Sequence, residues 1–171
     1  IFNRTIEKAK PLEEFGGKIK LSLGETVKDS DIIFTMLTDD LIVEKVLGNT
    51  EFLVNLKSSS TVIDMSSIKP KNAIKYGKLL KDKNINFLDA PVSGGTIGAE
   101  QGTLAIMVGG NQKIYDNVFD MLKIMGNPTL VGPIGSGQIS KLANQIIVGV
   151  TIGAVSEAII LCEKAGVDGN K

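Results

Sequence analysis

Histidine is absent from this 171-residue chain. That excludes Ser-His-Asp catalysis, imidazole metal ligation and imidazole acid–base chemistry. Proton transfer near neutral pH must then use lysine, a carboxylate, tyrosine, a thiol or water. Cysteine occurs once, as Cys162, which rules out an intrachain disulfide and a cysteine-rich metal site. Its neighbours Ile159, Ile160 and Leu161 mark a buried, inert thiol rather than a nucleophile. The 19 basic and 19 acidic residues cancel, so no electrostatic footprint for nucleic acid or an anionic membrane is visible. Arg4 is the sole arginine. No secretory signal pattern opens the chain, because Ile1-Phe2-Asn3-Arg4 lacks a basic region followed by an apolar one. The first residue is not methionine, and the opening reads as the tail of a strand. The expectation is a segment from inside a longer, cytoplasmic protein, with targeting left open.

What is present is an alternation of short apolar runs and amphipathic stretches. Ile1-Phe2 reads as a strand end, with Thr5 as a possible helix cap before Ile6, Ala9, Leu12 and Phe15 at helical spacing, interrupted at Pro11. Ile19, Leu21 and Leu23 alternate as a short strand would, and 26–30 reads as a polar turn or brief helix. Residues 31–37 form an apolar run of the kind buried on both faces of a parallel sheet. A helix capped at 38–40 follows, ending at Gly48. Further strands are expected at 61–65, 85–88, 104–108 and 129–131, with helices from Pro70 to about Lys83 and from Asn111 to Met125. Met36 reads as core. Together these describe an α/β domain with a mainly parallel sheet.

From Ser136 to Ala165 about thirty residues run without proline. At ~1.5 Å per residue that is a helix of roughly 45 Å. Residues 146–153 are apolar nearly all round, which predicts burial on several sides. The fully apolar part falls far short of the ~20 residues of a bilayer span, so a helix bridging domains or packing in a dimer is expected, with no membrane partner.

Between the strands at 85–88 and 104–108 lies Asp89-Ala90-Pro91-Val92-Ser93-Gly94-Gly95-Thr96, continuing through Gly98, Gly102 and Thr103. Ser93 with the N–H groups of Gly94 and Gly95 could cradle an anion; the alternative is a plain glycine-rich turn. Ligands of such sheets bind beyond the carboxyl ends of the strands, and four ends here are polar or glycine-rich: 3–5, 37–39, 66–67 and 93–95. Lys141 opens the long helix with Asn144 and Gln145 at i+3 and i+4 on the same face. It is either a solvated surface lysine or one whose charged form is destabilised by apolar walls and a helix N-terminus.

The run from Phe87 to Gly95, with Gly98-Ala99, Gly102-Thr103-Leu104 and Met107-Val108-Gly109-Gly110, resembles the substrate-binding signature of the β-hydroxyacid dehydrogenases. That family includes 3-hydroxyisobutyrate dehydrogenase, tartronate semialdehyde reductase and glyoxylate/succinic semialdehyde reductases. Gly135-Ser136-Gly137-Gln138-Ile139-Ser140-Lys141-Leu142-Ala143-Asn144-Gln145 is similar to its catalytic helix start, and Ile63-Asp64-Met65-Ser66-Ser67-Ile68 to a segment after a cofactor-domain strand. Asn3-Arg4-Thr5 and 34–37 match as well. The family's opening strand and Gly-x-Gly-x-x-Gly turn, and its helices after the long one, have no counterpart in the 171 residues.

The resemblance implies a Rossmann-like domain over 1–134, lacking its first strand, and a long helix over 135–171 that opens an all-helical domain. It implies hydride transfer between NAD(P)H and a small β-hydroxy acid or semialdehyde, with tartronate semialdehyde (2-hydroxy-3-oxopropionate) or 3-hydroxyisobutyrate favoured. Lys141 is then the general acid and base, and Asn144 orients it or a substrate hydroxyl. Ser93, Gly94 and Gly95 hold the substrate. Asn3, Arg4, Thr5, Leu37, Thr38 and Ser66 hold the cofactor, with helix capping before Pro70 the competing role for Ser66. A neutral Asn3 followed by Arg4 suits the 2′-phosphate of NADP, although Arg4 could instead stack on adenine or cap a helix. No metal is implied, and the whole protein is expected to be a homo-oligomer. The 171 residues alone are expected to fold poorly and bind dinucleotide weakly. The alternative to an enzyme is a non-catalytic dehydrogenase-like module for dimerisation or nucleotide sensing, which has no need of Lys141 or the 93–95 cradle.

Overall fold

The computed structural model describes residues 1–169. Six strands form one sheet in the order β1-β2-β3-β5-β4, with β6 also on β5: β1 Ile32–Thr35, β2 Thr61–Asp64, β3 Asn86–Asp89, β4 Val92–Ser93, β5 Leu104–Gly109 and β6 Gly126–Gly132. The pairs β1–β2, β2–β3 and β5–β6 are parallel; β5 runs antiparallel to β3 and β4. Parallel neighbours need long crossovers. Helices α2 (Asp40–Leu47) and α3 (Thr50–Asn55) lie between β1 and β2, and α4 (Pro70–Lys81) between β2 and β3. Helix α6 (Gln112–Met125) joins β5 to β6.

The β2 strand is buried along its whole length. Its alternate side chains feed two cores, because successive Cβ atoms point to opposite faces. Val62 and Phe87 pack with Val43, Leu47, Phe52, Tyr76 and Leu80 on one side. Ile63 and Leu88 pack with Ile106, Val108, Val118 and Leu122 on the other. Local signals fix the helices between. Asp39 accepts the Ile42 N–H at 3.0 Å to start α2, Asn111 accepts those of Lys113 and Ile114 to start α6, and Pro70 occupies the first turn of α4.

Several expectations are corrected. The alternation at Ile19, Leu21 and Leu23 makes no strand. Ser22 instead accepts the Glu25 N–H at 3.2 Å and starts α1 (Leu23–Val27), so a local cap overrides a two-residue period. Pro11 splits the first helical stretch into 3-10 turns, Ile6–Lys8 and Lys10–Phe15, and Thr5 makes no side-chain cap. The loop after Asp89 contains β4 and a helical turn, α5 (Gly95–Glu100). Thr50–Asn55, unassigned from the sequence, is the helix α3, capped by Asn49. The second face of β1 is covered only in part: Ile32 packs on a core, but Phe34 is exposed, as is Met36 just past the strand, which was expected to be core.

The long helix is α7, Ser136–Lys164. Its first turns pack on β3, β5, β6 and α4. Beyond them it outruns the sheet. Ile146, Ile147, Val150 and Ile152 are exposed, so the burial predicted for this stretch is not supplied by the described residues. By length and apolarity alone α7 meets the requirement for crossing a bilayer.

Candidate active site

The carboxyl ends of the parallel strands carry polar residues in register. Thr35, Asp64 and Asp89 are Cα partners across β1, β2 and β3, and all three are buried. Asp64 Oδ1 accepts from Thr35 Oγ1 at 2.8 Å, Ser66 Oγ at 2.6 Å and the Ser66 N–H at 3.2 Å. Burial pushes the Asp64 carboxyl up, with these donors pulling the other way. The Leu37 N–H donates to Ser66 Oγ at 2.9 Å. Ser66 is therefore not the cap of α4. Its hydroxyl, fully enclosed, is occupied in tying the end of β1 to the end of β2.

Asp89 performs a different task. The Gly135 N–H donates to its Oδ1 at 2.7 Å and the Gln138 N–H to its Oδ2 at 3.0 Å. Helix α7 has glycine at its N-cap, in a left-handed conformation and with no side chain to offer. A carboxylate 46 residues upstream of that glycine caps it instead, and negative charge there complements the helix dipole. Burial pushes the Asp89 carboxyl up as well, opposed by the same two N–H groups. The close seat requires Gly137: a Cβ there would strike Met107 O, and would lie 2.8 Å from both Asp89 O and Asp89 Oδ2.

Gln138 is 1% exposed. Its Oε1 accepts the Ile68 N–H at 3.0 Å and its Nε2 donates to Ser66 O at 2.8 Å. One turn further along α7, Lys141 is half-buried, and that burial pushes its ammonium below the usual lysine range. Asn144 Nδ2 donates to Ser93 Oγ at 3.1 Å and to Gln145 Oε1 at 3.3 Å. The structure thus joins the two signatures the sequence kept apart: the 93–95 loop and the Lys141 helix meet at Ser93–Asn144.

Gly94 and Gly95 have φ of 138° and 63°, a region that favours glycine. A Cβ on Gly95 would meet nothing within 4 Å, so the space above this turn is open. The first N–H groups of α5 there have no intrahelical partner. A cleft of about 240 Å³ opens beside Lys141, lined also by Ser67, Ile68, Pro70, Gln138 and Gln145. A larger, wide-open concavity of about 660 Å³ lies among Ile1, Lys18, Lys20 and Asp29. It contains none of the residues just described, so the chemistry is read from the smaller cleft. Asn3, Arg4, Thr5 and Thr38 are exposed. Asn3 Oδ1 accepts the Thr5 N–H at 2.9 Å; among the described residues none of these four hydrogen-bonds to the Lys141 cluster. The sequence reading quoted Asp64, Asp89 and Gln138 within its signatures but gave them no role of their own. The signal for the first two was a carboxylate closing an otherwise apolar strand.

A mainly parallel sheet ending in this polar row, followed by a glycine turn and a long helix, places the chain in the class of Rossmann-like α/β folds. The profile described as the NAD binding domain of 6-phosphogluconate dehydrogenase matches residues 1–142, and that described as NAD-binding of NADP-dependent 3-hydroxyisobutyrate dehydrogenase matches 135–171. The chain belongs to this 6-phosphogluconate dehydrogenase-like family of β-hydroxyacid dehydrogenases. It is 44% identical to 2-hydroxy-3-oxopropionate reductase of Escherichia coli (strain K12) over 146 residues, 84% of this chain and 50% of the relative. It is 40% identical to 2-(hydroxymethyl)glutarate dehydrogenase of Eubacterium barkeri over 139 residues, 80% of this chain and 46% of the relative. Among solved structures, Mycobacterium tuberculosis 3-hydroxyisobutyrate dehydrogenase with L-serine superposes with a TM-score of 0.91 at 31% identity, over 98% of this chain and 57% of that one. The chain spans about half the length of these relatives.

Proposed function

We propose that the protein containing this chain moves hydride between NAD(P)H and a small carboxylate-bearing β-hydroxy acid or semialdehyde. The observation that carries this reading is Lys141, partly desolvated and one turn from an Asn144 that hydrogen-bonds Ser93. In reduction the Lys141 ammonium donates a proton to the substrate carbonyl oxygen; in oxidation the neutral amine takes the hydroxyl proton. Burial favours the neutral amine, which brings the exchange toward working pH. A bound nicotinamide supplies or accepts the hydride. Asn144 orients Ser93 and the substrate hydroxyl. Ser93 and the Gly94 and Gly95 N–H groups take the carboxylate, where the open space above Gly95 leaves room. Leu37 and Thr38 lie along the cofactor, and Ser66 acts through its hold on Leu37.

The names of the relatives favour 2-hydroxy-3-oxopropionate or 3-hydroxyisobutyrate as substrate. The L-serine held by the Mycobacterium tuberculosis relative is itself a small β-hydroxy acid. Arg4 following neutral Asn3, together with the NADP-dependent description of the 135–171 match, favours NADP. The division at 134/135 and a homo-oligomer belong to the same reading, with further protein covering the apolar length of α7. Turnover of a panel of tartronate semialdehyde, glyoxylate, succinic semialdehyde and 3-hydroxyisobutyrate by the full-length protein, with both cofactors, tests the reading. Lys141→Ala should abolish turnover and leave cofactor binding largely intact; retained kcat refutes the role of Lys141. Arg4→Ala should raise KM for NADPH far more than for NADH, and an unchanged preference removes Arg4 from the argument.

A further inference from the structure

We infer that Gln138 is a positioning residue that locks the helix carrying Lys141 to the cofactor-side segment Ser66–Ile68. The inference rests on the dehydrogenase reading above. In that reading proton and hydride must reach one carbonyl group from two separate chain segments. The proton comes from α7, and the hydride from a cofactor lying beyond the ends of β1 and β2. The close seat of α7 on the sheet at Gly137 brings the two segments together but by itself leaves sliding and rotation about the helix axis open.

Gln138 removes both freedoms. Its amide uses its acceptor on Ile68 N–H and one donor on Ser66 O, 3.0 and 2.8 Å away. Both partners are main-chain groups of one short segment, 70 and 72 residues away in sequence. Its own N–H is held by Asp89, which leads into the 93–95 loop. Three elements of the site therefore meet on this one enclosed residue, and Lys141 rides three residues further along, at a rise of about 4.5 Å. Ser66 in turn fixes Leu37, so the tie extends from the proton donor to the end of β1. An amide of this length offers a neutral acceptor and a neutral donor on one carbon; asparagine carries the same pair one methylene shorter. Glutamate would turn a lone pair toward Ser66 O, and leucine would leave both main-chain groups unpaired.

The test compares wild type, Gln138→Leu and Gln138→Glu in the full-length protein, at temperatures well below each Tm. The expected result is a fall in kcat of roughly 10–100-fold for Gln138→Leu, the scale of a 1 Å misplacement, with KM for both substrates within about threefold. The smaller loss falls to Gln138→Glu, which keeps the Ile68 bond. A second readout needs no cofactor: the pH dependence of Lys141 labelling by an amine reagent should move toward ordinary lysine behaviour in the variants. If Gln138→Leu does not fold, Gln138→Glu carries both readouts. A kcat within twofold of wild type, or an unchanged labelling profile, overturns the inference even where Tm falls, because Gln138 is then structural only. An active wild type with indifferent variants sinks this inference alone. A wild type inactive on the whole substrate panel sinks the functional reading and this inference with it.

Discussion

Replacing Asp89 with asparagine preserves shape and removes one acceptor. The native carboxylate uses separate oxygens for Gly135 and Gln138, at 2.7 and 3.0 Å. An asparagine amide has one oxygen, so whichever way it turns, an NH₂ group faces one of the two N–H donors. That leaves a buried main-chain N–H unsatisfied, at a cost of about 1–3 kcal/mol. Asparagine forgoes the contact of a negative charge with the helix dipole. It also escapes the penalty of burying a charge, the larger effect because it raises the Asp89 carboxyl, and the difference offsets part of the unpaired N–H. The net expectation is a destabilisation of about 1–2 kcal/mol. At roughly 2–4 °C per kcal/mol for domains of 150–250 residues, that is about 2–8 °C in Tm.

Calorimetry of the full-length protein measures the loss, and its pH dependence tests the cause. Because the folded-state carboxyl titrates above the unfolded one, the native state binds the proton more tightly. The stability linked to Asp89 is then fully present below the unfolded value and declines as pH rises through the folded one. Asparagine does not titrate. The gap between wild type and Asp89→Asn should therefore widen as the pH drops from neutral toward about 4. Asp64 is present in both proteins and cancels in the difference. A Tm within 2 °C of wild type at neutral pH would refute the capping role. A gap that narrows on acidification would show that the two N–H donors outweigh burial.

Two further predictions concern the same helix. Gly137→Ala drives a Cβ into Met107 O and the Asp89 carboxylate, fixed atoms that cannot swing aside; it should cost more than ~3 kcal/mol, at the upper end for single substitutions, and reduce soluble expression. For Lys141, reduction needs the ammonium and oxidation the amine. As pH rises through its lowered pKa, kcat for reduction should fall and kcat for oxidation rise, both below the ordinary lysine range. A reduction rate flat through pH 10 contradicts this.

Much of the fold was legible because its signals are local. The apolar runs at 61–65 and 85–88, the Asp39 and Asn111 caps, and Pro70 in a first turn each act within a few residues, and the structure places strands and helices there, within one residue for the two runs. The misreadings have local causes of the same kind: at 19–23 the Ser22 cap outweighs an alternating pattern only three apolar residues long. The apolar stretch 146–153 is legible as a helix but not as a buried one, since burial depends on what surrounds a helix and periodicity reports only on the helix itself. The reversal of β5 against β3 has no periodic signature either; it follows from a chain turning back through β4 and the short α5.

The site divides along a different line. Lys141, Asn144 and Ser93 stood out because their side chains can act on a ligand. Asp89 and Gln138 did not, because their partners are main-chain N–H and C=O groups of distant segments, at separations of 46 to 72 residues. Main-chain groups are the same in every residue, so no pattern of side chains announces such a bond. What does announce it is a deficit. Helix α7 begins at a glycine that cannot cap it, and a 29-residue helix seated on the end of a buried sheet cannot leave its first N–H groups unpaired. Some acceptor beyond the helix must supply the missing bonds. Asp89, the carboxylate that closes the apolar strand β3, was the candidate whose burial otherwise had no explanation.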